Sequence, residues 1–157
     1  MEALLDWLQH SAVGEFMRAR PWHIPVVEIF HLAGLILVFG SVLIASLRMF
    51  NVMLRDQPAA EIARAMLRLT IVGLSVQMVT GPLLLTAMAN KLGENPNFAI
   101  KIALLAIAAI YYFTLHRKRI LAEGGGETQA STKASTALAL LLWLAGILQG
   151  MRIGVLS

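Results

Sequence analysis

The stretch PVVEIFHLAGLILVFGSVLIASL, residues 25–47, decides the fold. Between positions 29 and 47 its only ionisable side chain is His31. A helix needs about 20 mostly apolar residues to cross a bilayer. Three further runs meet that requirement. Residues 69–90 and 134–151 carry no charged side chain, and residues 98–115 carry only Lys101. The chain is 58% hydrophobic and 14% charged, against roughly 25% charged in an ordinary soluble domain. These features predict an all-α integral membrane four-helix bundle with up-down-up-down connectivity. Spans are expected near 23–47, 66–89, 98–116 and 135–155. Four spans and short tails leave room for one domain, residues 1–157.

The remaining segments fit around that frame. Leu4, Leu5, Leu8, Ala12 and Phe16 recur at helical spacing, which predicts an amphipathic helix over residues 1–20 lying in the membrane interface. Trp7 and Trp22 suit the headgroup level. Pro58 opens a helical start before the second span. Residues 91–97, with Gly93, Asn95 and Pro96, read as a short turn, and Gly124–Gly126 as a flexible loop. The first apolar run has neither a basic segment before it nor a small-residue cleavage site after it, so it reads as a span and not as a cleaved leader. The chain has no cysteine, which excludes disulfides, thiolate metal sites and thioether-attached haem.

Charge placement predicts orientation. Arg48, Arg55, Arg64 and Arg68 follow the first span, and Arg117, Lys118, Arg119 and Lys133 follow the third. The positive-inside rule then puts both basic loops in the cytoplasm and both termini outside. His116 joins the second basic group and reads as a headgroup-level anchor. Small and polar residues form stripes on single faces: His31, Gly34, Ser41 and Ala45; Thr70, Gly73, Gln77 and Gly81; Ala139, Trp143, Gly146 and Gly150. Such stripes let membrane helices approach closely. A gap between glycine-bearing faces would also admit a flat cofactor.

Function has to come from the polar residues at depth. Counting about 1.5 Å per residue, Glu28 and His31, Gln77 and Thr80, Lys101, and Gln149 and Arg152 fall at one level in the outer half. Ionisable groups at membrane depth are costly and point to function. Glu28 is the natural counter-ion for Lys101 or Arg152. Three occupants suit His31. A b-type haem would take the imidazole as axial ligand, with Lys101 and Arg152 on the propionates, and with Gly34 or Gly81 making room. Met78, Met88, His10 or His23 would have to supply any second ligand. A quinone would use the His–carboxylate pair for proton exchange. Copper would use His31 and His23 with Met78, Met88 and Met151. A di-iron site is excluded, because Glu-x-x-His occurs once. The leading expectation is a redox or electron-transfer membrane protein holding haem or quinone. Against it stand a non-catalytic subunit or assembly factor of a larger membrane complex or homo-oligomer, and, third, copper handling. Nothing in the chain has the pattern of a nucleic-acid binder, a nucleophile triad or a phosphate loop.

The segments Pro25-Val-Val-Glu-Ile-Phe-His-Leu-Ala-Gly, Ser46-Leu-Arg-Met-Phe and Asn95-Pro-Asn-Phe-Ala-Ile-Lys, with Trp143 and Gly150-Met-Arg, resemble a set of uncharacterised bacterial four-span inner-membrane proteins. The Asn-x-x-Phe-x-x-Lys element is also similar to part of the copper-resistance D-type membrane domains. That resemblance implies that Glu28, His31, Arg48, Asn95, Phe98, Lys101 and Arg152 are recurring positions. It implies an acidic residue where this chain has Ser46. It assigns no reaction.

Overall fold

A computed structural model describes residues 2–93, 95–122 and 128–155. The expected Gly124–Gly126 loop lies outside the described residues, as does the side chain of Met151. Every described element of regular structure is helical. Four helices are long and apolar enough to cross a membrane: His23–Met49, Ala59–Ala87, Pro96–Ala122 and Ala130–Gly150.

The chain begins with α1 (Glu2–Gln9) and α2 (Ala12–Arg18). The single helix expected over residues 1–20 is therefore broken. The break is made by Ser11, whose Oγ accepts from the Gly14 N–H at 3.2 Å and caps a new helix. Helix α3 (His23–Met49) follows, then α4 (Ala59–Ala87), which begins directly after Pro58 and so starts before the apolar run does. A short α5 (Ala89–Gly93) fills part of the expected turn. Asn95 caps α6 (Pro96–Tyr111) by accepting from the Asn97 N–H at 3.0 Å. A π-turn (Tyr112–His116) continues into α7 (Arg117–Ala122), and α8 (Ala130–Val155) ends the described chain.

The long helices form two antiparallel pairs, α3 with α4 and α6 with α8, joined mainly where α3 meets α8. The stripes read from the sequence are the faces that meet. A Cβ added to Gly73 would lie 2.7 Å from the Gly34 carbonyl oxygen, so α3 and α4 touch backbone to backbone. Below that point Ser41 Oγ and Thr70 Oγ1 are hydrogen-bonded at 2.8 Å. In the other pair, a Cβ on Gly146 would meet Leu105 Cδ2 at 2.9 Å. Val38, Val42, Leu67, Ala108, Tyr112, Ala139 and Trp143 close one core shared by all four long helices. The outward faces stay apolar, with Ile36, Val72, Ile110 and Leu141 exposed. A soluble protein buries such residues, whereas a lipid-facing surface requires them.

Two ends can be distinguished. The terminal end carries α1, α2 and the last turns of α8. The loop end carries the 50–58 connection and α7. At the terminal end, Arg18 donates to the Gln9 carbonyl at 2.5 Å and to the Thr86 and Ala87 carbonyls at 3.4 Å each. It thereby meets the negative pole of α4 and ties α1 and α2 across that helix end. Leu4, Trp7, Phe16 and Trp22 remain exposed on the far side.

Candidate functional site

Two polar levels run through this body, and the sequence predicts burial of the first alone. At the terminal end, His31 faces α4. Its Nδ1 lies 2.8 Å from Thr80 Oγ1, while Thr80 donates its own hydroxyl proton to the Val76 carbonyl at 2.7 Å. A hydroxyl has one proton to give. The shared bond must therefore run from Nδ1–H to Thr80, and in the neutral ring Nε2 keeps its lone pair. Gln77 fixes the backbone beside it, its Nε2 donating to the His31 carbonyl at 2.7 Å. A Cβ on Gly81 would stand 3.7 Å from His31 Cε1. An alanine there would touch the ring at an ordinary van der Waals distance.

Lys101 is half-buried on α6. It runs along α8, where a Cβ on Gly150 would sit 3.3 Å from its Nζ. Among the described residues no carboxylate makes an ion pair with it. One turn nearer the terminal end, Gln149 Nε2 donates to Asn97 Oδ1 at 2.8 Å. The expected level is thus assembled from α3, α4, α6 and α8, with His31, Thr80, Gln77, Lys101 and Gln149 all partly or fully buried.

Several expected members do not join it. Glu28 is exposed and makes no ion pair among the described residues, so it is not the counter-ion of Lys101 or Arg152. Three residues of helix turn through about 300°, which leaves Glu28 about 60° round the helix from His31; its side chain is exposed there. Arg152 is exposed too and makes no ion pair among the described residues. The Nδ1 of His23 bonds the Phe16 carbonyl, 2.6 Å away, and the ring stacks on Phe16 with centroids 4.5 Å apart. It serves the α2–α3 corner. Met78 is 74% exposed on the outward face of α4. Among the described residues no three His, Cys, Asp or Glu side chains converge as metal ligands. Gly34, expected to make room for a macrocycle, is filled by Gly73 and Val76, each within about 3 Å of a Cβ placed on it.

The second level lies toward the loop end. His116 is only 2% exposed, which corrects its expected role as a headgroup anchor. Its Nδ1 lies 3.2 Å from Ser135 Oγ, and Tyr111 Oη lies 2.8 Å from the same oxygen. Arg117, Lys118 and Arg119 beside it are exposed, as a basic surface group should be. The cause is the winding of the helix. Ala108, Tyr112, His116 and Ile120 are all buried at a strict spacing of four. On a regular α-helix that spacing drifts by about 40° per step, or about 120° over the run. The wider π-turn takes up that drift and keeps all four on one face. Arg48, expected among the recurring positions, is also buried. It donates through Nε to the Gln57 carbonyl and through Nη1 to Asn51 Oδ1, both at 2.8 Å, closing the α3–α4 connection.

The class defined by this fold is a small helical protein with four helices long and apolar enough to cross a membrane. Within that class the chain belongs to a family described as "Family of unknown function (DUF6644)", whose profile matches residues 5–156. No curated protein and no solved structure matches the chain.

Proposed function

We propose that the protein is a multi-pass inner-membrane protein, and that the His31–Lys101 level binds the polar head of a small hydrophobic molecule of the quinone class. The observation that carries this reading is the committed Nδ1 of His31. With Thr80 holding that nitrogen, Nε2 is an oriented acceptor for a hydroxyl. Lys101 brings an ammonium unmatched by any carboxylate among the described residues, a donor for a carbonyl or phenolate oxygen. Together they complement the reduced, quinol form of such a ring, one hydroxyl donating to Nε2 and the other oxygen accepting from the ammonium. Helices α1 and α2 then lie at the membrane surface over this end, with Trp7 and Trp22 among the headgroups. Haem b has less support, because Gly34 is closed and neither His23 nor Met78 stands opposite His31.

The test is anaerobic equilibrium binding of a short-chain benzoquinol, the reduced form that carries donating hydroxyls, to the purified protein in lipid nanodiscs, preceded by a visible spectrum. Saturable binding is expected in the wild type. His31→Ala and Lys101→Met should each weaken it at least tenfold, the ~1.4 kcal/mol of one good polar contact. Ser75→Ala, on the exposed face of α4, should leave it unchanged. A wild type without saturable binding ends this reading, and a Soret band would assign the site to haem.

One observation favours a second reading, an accessory subunit. Glu28 is exposed and without an ion pair among exposed Val26, Ile29 and Phe30. A carboxylate on an apolar helix face suits a partner helix with a donor. In that case Glu28→Gln would abolish co-purification of a partner while quinone binding stayed intact.

A further inference from the structure

The second polar level contains two buried hydrogen-bond donors that no acceptor in the described protein satisfies. Tyr112 Oη and Trp143 Nε1 are both sealed from the surface, and neither has a partner among the described residues. Their rings meet edge to face, with centroids 6.5 Å apart at 79°. Ser41 and Thr70 hydrogen-bond each other at 2.8 Å, one of them donating, while the other donates to a carbonyl of its own preceding turn, Leu37 for Ser41 or Met66 for Thr70. Each oxygen keeps a lone pair. No hydrogen bond joins Tyr112 Oη to Thr70.

An indole N–H can only donate. Whatever satisfies Trp143 must therefore present a lone pair. Buried polar groups without a partner are rare in native proteins, and an unassigned water or ligand is among the accepted reasons for one. Here two occur on one pair of touching rings. The segment that carries Tyr112 is a π-turn, a feature common at functional sites. His116 adds a third polar ring to the same place, 5.4 Å from Tyr112 between centroids.

We propose that the loop half of the bundle holds a second binding site, in which a small molecule with an acceptor oxygen takes hydrogen bonds from Tyr112 Oη and Trp143 Nε1. Water is the smallest such molecule, and Thr70 and Ser41 offer the lone pairs to receive its own two protons. A carbonyl or ether oxygen of a small apolar molecule has the same chemistry. This site is separate from the His31 level. Ser41 and Thr70 lie ten residues along their helices from His31 and Thr80, about 15 Å away, with the closed Gly34–Gly73 contact between.

The experiment follows the indole N–H of Trp143 by nitrogen-15 NMR of the full chain in bicelles. Trp143→Phe, which keeps an apolar ring, identifies the resonance by its loss. A cross-peak from this N–H to water protons is expected, together with a shift of the resonance in Tyr112→Phe. Cross-peaks to carbon-bound protons of a co-purifying molecule, with a matching added mass in native mass spectrometry, would make that molecule the occupant. A Trp143 N–H with neither kind of cross-peak, unmoved by Tyr112→Phe, overturns the proposal. The outcome is independent of quinone binding, which His31→Ala removes without touching this level.

Discussion

Thr80 decides what His31 can do. By accepting from Nδ1 it sets the tautomer and leaves the other ring nitrogen free. A second group that orients an imidazole commonly matters almost as much as the ring itself. Thr80→Val keeps the shape of the side chain and removes the acceptor. It should weaken benzoquinol binding by roughly tenfold, about one net hydrogen bond, while Thr80→Ser restores it. Equal binding by wild type and Thr80→Val would show that the ring is oriented by something else. At this scale the sequence is partly readable. His31 stands out as the one ionisable group in its apolar run. Its true partner does not, because a threonine in a membrane helix ordinarily bonds its own preceding turn, and Thr80 does that as well. The nearby charge of Glu28 is the more conspicuous candidate, yet its side chain is exposed and makes no ion pair among the described residues.

Each pair of helices is set by where side chains are missing. Gly73→Ala would push a methyl group against the Gly34 carbonyl and against Val38, whose Cγ2 would be 2.8 Å away. The two helices must separate, and overpacking of this kind costs about 1–3 kcal/mol. Gly40 is a built-in control, since a Cβ there meets nothing within 4 Å. Gly40→Ala should leave thermal stability in detergent unchanged or raise it slightly, by up to ~1 kcal/mol of helix propensity. Equal effects of the two substitutions would mean that the α3–α4 contact does not set stability. Stripes of small residues mark these faces in the sequence itself, because few residue types permit close backbone approach. The third long helix is harder to read. Its buried residues repeat every four positions, a period that fits neither a straight helix nor a coiled coil, and nothing local announces a π-turn. For that reason the basic neighbours of His116 suggest a surface position that the winding of the helix denies it.

For the whole molecule, span number is legible because length and apolarity are sufficient to count membrane helices. Orientation is a separate matter that rests on loop charge. If both termini face outward, a cysteine at Ala3 should react with an impermeant maleimide in intact cells, whereas one at Ser131, exposed at the loop end, should react only after lysis. The reverse pattern would invert the topology. The chain has no native cysteine to confuse the reading. Inversion would place the His31 level near the cytoplasmic leaflet without altering its geometry.

An α-helix ties reach to direction, since each added residue advances the chain about 1.5 Å and swings it about 100°. The wide turn at Tyr112–His116 loosens that tie. The segment above it can hold its alignment with α8 while the basic segment below is aimed on its own, much as a universal joint passes on position without passing on angle. Removing a single residue from that turn would leave the span nearly as long. It would also swing Arg117, Lys118 and Arg119 around the helix axis, toward the place His116 now occupies.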